Sequence, residues 1–157
     1  MDFKKLLQDP LIKGGTAGTG AGIVMEVINY PLYYLQLLAI RPIDFAYMVI
    51  THHKAQNLLE ITAGLVNHLF FASVSGIILS LILVKTNYQS PLLKGISLGL
   101  GTNILLLALA SFFEIEPVIN ISPLNILLLD ISAALPFGLT LGLFLKFLHT
   151  KFDQSTQ

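Results

Sequence analysis

The chain has 157 residues, of which 54% are hydrophobic and 11% charged, with 9 Lys and Arg balanced by 9 Asp and Glu. A soluble domain carries roughly 25% charged residues to wet its surface. The composition therefore excludes an ordinary soluble globule, a disordered chain and a nucleic-acid binder that works through net charge. The lack of Cys removes disulfide frameworks, thiolate zinc sites and cysteine nucleophiles.

A bilayer core of about 30 Å needs roughly 20 apolar residues in a helix. Four runs meet that need, so the chain is expected to be an all-α polytopic membrane protein, a single membrane domain over 1–157. The first run, about 14–38, is interrupted by Glu26, Asn29, Pro31 and Gln36. A signal peptide is not expected there, since no short apolar core ends in a cleavage site. Between the first two runs lies the only long connector, 42–60. Pro42 suits a first helical position and Asp44 a helix N-terminus. Ile43, Ala46, Tyr47 and Ile50 keep helical spacing, and the second half is polar. This predicts an amphipathic helix at the outer interface or dipping partly back, against the alternative of an extended loop. The second run, 62–84, contains Asn67 and His68; the third, 92–113, contains Asn103; the fourth, 125–148, contains Asp130 and Pro136. Continuous rather than alternating hydrophobicity selects helices over barrel strands. Seven of the 9 cations (Lys4, Lys5, Lys13, Lys85, Lys94, Lys146, Lys151) fall on one side of a four-crossing scheme. That side is expected to be cytoplasmic, with both termini inside.

The first and third runs open alike. Lys13 to Gly20 and Lys94 to Gly101 both read K-G-x-[ST]-x-G-x-G, at an offset of 81. His68 and Gly76 repeat as Asp130 and Gly138 at an offset of 62, and the two offsets differ by 19, the length of the 42–60 connector. A duplicated helical hairpin with one insertion would leave this pattern, the two copies running parallel about an axis along the membrane normal; convergent helix-packing composition is the other reading. Independently of duplication, Gly14, Gly18 and Gly22, then Ala72, Gly76 and Ser80, then Gly95 and Gly99, and Gly138 and Gly142 give each run a smooth ridge. Such ridges let helices approach closely where lipid supplies no hydrophobic driving force. A phosphate-binding loop is not read here, because no strand precedes the glycines and no Lys–Ser pair follows them.

Ionisable groups inside spans carry a functional hypothesis by default. Glu26 lies roughly 18 Å into the first run, and His68 and Asp130 each roughly 9 Å into theirs from the outer side, at the helical rise of about 1.5 Å per residue. These depths predict that His68 faces Asp130, with Glu26 within a turn or two and Asn29, Asn67 and Asn103 nearby. The group reads either as a proton- or cation-linked site, since a buried carboxylate and a histidine can both exchange protons near neutrality, or as polar clasps that hold the bundle. His52-His53 is a poor ligand pair, since neighbouring side chains on a helix diverge, and only His68 sits where a haem ligand would. Tyr30, Tyr33, Tyr34 and Tyr47 suit an interfacial belt. No G-x-S-x-G, H-E-x-x-H or paired acidic motif appears. No catalytic residue, metal or cofactor is therefore expected.

The Gly/Ala-rich stretch Gly14 to Met25, the segment Pro42-Ile43-Asp44, and Asn67-His68-Leu69 followed by Gly76 resemble a loose group of small, uncharacterised four-span bacterial inner-membrane proteins. The resemblance covers roughly residues 13–84. The second half departs from it, with Asp130 where members often have a histidine. It implies a bacterial plasma-membrane location and supplies no activity and no catalytic residues. Two functions follow as expectations: a non-enzymatic helix-packing module, acting as a homo-oligomer or in a larger membrane complex, or a small carrier or proton/cation pathway through Glu26, His68 and Asp130.

Overall fold

The computed structural model describes residues 8–152, all of whose regular elements are helical. Lys4 and Lys5, counted above toward orientation, lie outside the described residues. In chain order the elements are α1 (Pro10–Tyr34), α2 (Pro42–Thr51), α3 (Leu58–Lys85), α4 (Pro91–Phe112), the short α5 (Glu116–Ile119), α6 (Pro123–Leu129), a π-helical segment (Asp130–Ala134) and α7 (Leu135–Phe152). The last three form one rod, Pro123–Phe152, and this rod, α3 and α4 are each long and apolar enough to cross a membrane. The 25-residue α1 is long enough but is not among the three; it carries Lys13, Glu26, Asn29 and five of the 12 glycines.

Local chemistry fixes the ends. Asp9 caps α1, its carboxylate accepting the Leu11 N–H at 2.7 Å, and Pro10 takes the first helical position, where its missing N–H costs nothing. The helix stops at Tyr34, short of the expected 38, and the chain turns with Gln36 at φ 59°. The 42–60 segment is not one helix. α2 ends at Thr51, where His52 takes a left-handed φ of 61° and closes the helix by donating its N–H to the Met48 carbonyl. Residues 52–57 carry no helix, and Asn57 then caps α3 by accepting the Glu60 N–H at 3.0 Å, while the Glu60 carboxylate accepts the Gln56 N–H at 2.6 Å. The polar second half of the expected amphipathic helix is thus a turn and a capping box. Nor does the start of α2 lie on a surface: Ile43, Asp44, Ala46 and Met48 are buried, and α2 packs on α3.

Two hairpins organise the bundle. α1 packs most extensively on α3 and next on α7; α4 packs on α7; α3 and α4 scarcely touch. A Cβ added to Gly14 would collide with the backbone of Gly76, and one on Gly18 with the carbonyl of Ala72. In the second hairpin Gly95 stands in the same relation to Gly138, and Gly99 to Ala134, with Gly142 against Pro91. These contacts repeat at the offsets of 81 and 62 read from the sequence. Pro10 and Pro91, and Pro42 and Pro123, are also 81 apart and each opens a helix. The residues that lengthen the first half therefore come after Pro42. On the returning helices Ala72, Gly76, Leu79, Ser80 and Leu83 are buried, and so are Ala134, Gly138, Leu141, Gly142 and Leu145, which stand 62 further on.

The exterior, unlike that of a soluble protein, is as apolar as the core. Small and polar residues such as Gly76, Ser80 and Asn29 are inside, while Val66, Phe70, Ile104, Leu105 and Phe147 stand outside, each more than half exposed. Such an apolar exterior fits a membrane location, where hydrocarbon replaces water as solvent.

Candidate functional site

The polar groups within the bundle sort into separate clasps rather than one cluster. His68 of α3 turns its Nε2 toward Glu26 Oε1 of α1 at 3.5 Å, with side chains only 9% and 12% exposed. Gly22, one helical turn before Glu26, makes room for Ala72, whose Cβ would lie 2.8 Å from one added there; His68 Nε2 would be in ordinary contact with it. Neither carboxylate oxygen of Glu26, nor His68 Nε2, has a hydrogen-bond partner among the described residues. Arg41, Asp44 and the backbone of Ile43 act on Glu26 from the start of α2.

Asp130 does not meet His68. Its Oδ1 accepts a 2.7 Å hydrogen bond from Asn103 Nδ2 of α4, so the expectation that the two facing spans would join His68 to Asp130 is corrected. The cause is packing: the α4–α7 crossing aligns position 103 with 130, as α1–α3 aligns 22 with 68, and the loose contact between α3 and α4 keeps the two pairs apart. Asn29 belongs to a third clasp. Pro136 has no N–H, so the carbonyl of Ser132, four residues earlier, loses its helical donor. Asn29 Nδ2 donates to that carbonyl at 2.8 Å, and the single proton of Ser132 Oγ is shared between Asn29 Oδ1 at 2.9 Å and the Leu128 carbonyl at 2.7 Å. The π-helical segment surrounds this repair, as extra residues in a helix commonly do where its ladder is interrupted. Asn67 is half-buried and joins none of these clasps.

Sequence reasoning missed a fourth pair. Arg41 Nε and Nη2 each donate to the Asp44 carboxylate at 2.8 Å, with both residues buried. The Arg41 guanidinium also lies 4.6 Å from the Tyr33 ring centre. The Asp44 hydrogen bonds hold Arg41 above its ordinary pKa against the opposing effect of burial. Its signal is the i, i+3 spacing across a helix start, where Asp44 by itself reads only as an acid suited to a helix N-terminus.

Between α3 and α4, roofed by the start of α2, lies a cavity of about 100 Å³. Met25, Phe45, Phe71, Leu106 and Phe137 give it an apolar wall; His68 and Ser75 line it from α3, Thr102 and Asn103 from α4, and Arg41 from the roof. The bundle thus brings His68 and Asn103 to opposite walls of one space, each backed by a carboxylate. No group of three or more His, Asp or Glu that could hold a metal occurs among the described residues. No family model, curated protein or solved structure matches this chain.

Proposed function

We propose that the chain is a four-crossing bacterial plasma-membrane protein, built from two copies of one helical hairpin, that binds a lipophilic ligand in the cavity between α3 and α4. α1 is the fourth crossing. At 25 residues it spans about 37 Å, and its polar residues are covered by α3 and α7 rather than by lipid. α2 forms the outer roof, and both termini are cytoplasmic, on the side of the lysines at the far ends of α1, α3, α4 and α7. The protein acts without catalysis.

The observation that carries this reading is a mostly apolar cavity with His68 and Asn103 on opposite walls and a few further polar groups, one of whose lining residues, Phe71, is also exposed on the outer surface of the bundle. A pocket of this kind, mostly apolar with a few convergent polar groups, is the usual form of a small-molecule site. The ridge glycines support the same reading by elimination. Gly14, Gly18, Gly22, Gly76, Gly95, Gly99, Gly138 and Gly142 all face their own chain, so they are occupied within the monomer and present no smooth ridge to a second copy. The separation of Glu26–His68 from Asn103–Asp130 likewise weakens a relay through all three ionisable groups.

The test is saturable uptake of 4-phenylbutanol by the protein in phosphatidylcholine vesicles, above that of empty vesicles. Ser75→Phe and Thr102→Phe fill the cavity from opposite walls and should each remove the saturable part. Purely linear uptake by the wild type, or saturation unchanged in both variants, overturns the reading. Single cysteines added at each end of this Cys-free chain should label from the same side; labelling from opposite sides would remove the fourth crossing.

A further inference from the structure

We infer that the ligand of this cavity is a small hydrophobic ammonium: an apolar body carrying one protonated primary amine. The inference rests on the lipophile-binding reading above and adds the charge and donor character of the ligand.

Two carboxylates stand behind the polar walls of the cavity. An ionised carboxylate only accepts hydrogen bonds. Asp130 therefore draws the amide nitrogen of Asn103 toward itself, at 2.7 Å, and leaves Asn103 Oδ1, an acceptor, without a partner among the described residues. Glu26 stands behind His68, its Oε1 3.5 Å from Nε2, and neither of its oxygens has a hydrogen-bond partner among the described residues, so acceptors without donors lie behind both walls. A ligand that offers only acceptors, such as a ketone or ester, would leave these groups unanswered; one rich in N–H donors would satisfy both walls.

Charge points the same way. Around Glu26 stand His68 on α3, Arg41 and Asp44 at the start of α2, and, on the rod that contains α7, Asp130 behind the opposite wall. Arg41, the one cation of this set, is held by both oxygens of Asp44. Two carboxylates, Glu26 and Asp130, remain without a cationic partner among the described residues. Glu26 is nearly buried and Asp130 half-buried, and a carboxylate withdrawn from water is costly unless paired, so a cation between them complements the site better than an anion does. Phe45 of α2, Phe71 of α3 and Phe137 of α7 line the cavity and suit an apolar body, and aromatic rings tolerate a nearby cation. The volume of about 100 Å³ fits a single small group, with the remainder of the ligand lying out between α3 and α4 in the hydrocarbon.

The experiment compares three probes of one shape at pH 7.5 in vesicles of uncharged lipid: 4-phenylbutylamine, its N,N,N-trimethyl derivative and 4-phenylbutanol. The primary amine should saturate at a concentration about tenfold below that of the alcohol, which corresponds to about 1.4 kcal/mol, and below that of the trimethyl compound, which has no N–H to donate. Glu26→Gln and Asp130→Asn, measured separately so that one folding failure does not decide the matter, should each reduce the amine's advantage severalfold while leaving the alcohol in place. Equal binding of amine and alcohol, with both lost in Ser75→Phe, would overturn the ammonium and keep the lipophile site. Retention of the full preference in both carboxylate variants would also overturn it. If neither probe saturates, the cavity reading itself fails. A trimethyl compound binding as tightly as the primary amine would overturn the donor requirement.

Discussion

The two hairpins share their packing and differ in their chemistry. α1 and α3 cross through Gly14, Gly18, Ala72 and Gly76, and α4 and α7 through Gly95, Gly99, Ala134 and Gly138, at matching positions. At those same offsets the polar residues of the first half lose their counterparts: Glu26 becomes Leu107, Asn29 becomes Ala110, Arg41 becomes Ser122 and His68 becomes Asp130. Close backbone contact leaves little freedom, because a side chain at a crossing collides with another helix. Positions beside the crossing are less constrained, and there the halves differ. The cavity lies where the halves also differ in packing, since α1 meets α7 closely while α3 and α4 stand apart.

The largest effect should come from breaking the shared part. Gly18→Leu drives a side chain into the Ala72 carbonyl, and Gly99→Leu does the same at Ala134. Because the obstacle is backbone, the cost should exceed about 3 kcal/mol, the upper part of the overpacking range, and neither variant should give a folded monomer in detergent. Gly101→Leu is the control, since nothing lies within 4 Å of a Cβ there. Thermal unfolding followed by circular dichroism checks all three. Equal tolerance of Gly18→Leu and Gly101→Leu would break the equivalence of the crossings.

The next effect belongs to the first half alone. Asp44→Ala strands the buried Arg41 guanidinium and should destabilise by about 3 kcal/mol or more, as breaking a buried ion pair does. Arg41→Met combined with Asp44→Leu should recover most of that loss, since the stranded charge is gone. Asn125→Ala, the corresponding change in the second half, should cost much less: Asn125 is half-buried and accepts the Ala39 N–H at 3.0 Å. Asn29→Leu tests the contact between the halves. It leaves the Ser132 carbonyl without a donor, at about 1–3 kcal/mol. Pro136→Ala in the same chain supplies the missing N–H and should return part of it. No recovery would mean that the proline is not what frees the carbonyl.

Much of this architecture could be read from residue spacing. Glycine ridges and a fixed offset are local, periodic signals, and they located the crossings, although not the partner of each helix. The proline at position 136 signalled a freed carbonyl, but nothing in the sequence said that Asn29, a hundred residues away, would answer it. Depth along the helices correctly placed Glu26 near His68. It failed for Asp130, because depth carries no information about rotation about the bundle axis; the same crossing that sets Gly22 beside His68 sets Asn103 beside Asp130. The 42–60 segment was misread because its apolar period continues only to Ile50, beyond which Asn57 and Glu60 form a capping box that starts the next helix.

The smallest effect distinguishes a clasp from a keystone. Asn103 and Asp130 are both only half-buried, so removal of their hydrogen bond by Asn103→Ala should cost about 0.6 kcal/mol, the average for polar contacts between membrane helices. The alternative is that this bond replaces, in the second half, the close fit of Gly22 against α3 in the first. There a Cβ would meet that of Ala72 at 2.8 Å, so the backbones must approach, whereas the corresponding position 103 carries a side chain whose amide reaches Asp130. A simple bridge between two side chains contributes its own energy and little more. A loss above about 2 kcal/mol would show instead that the hydrogen bond sets the distance between α4 and α7 and that the glycine crossings depend on it. Unfolding of Asn103→Ala and Asp130→Ala, alone and combined, separates the two, because a simple clasp makes the double variant no worse than the more damaging single one.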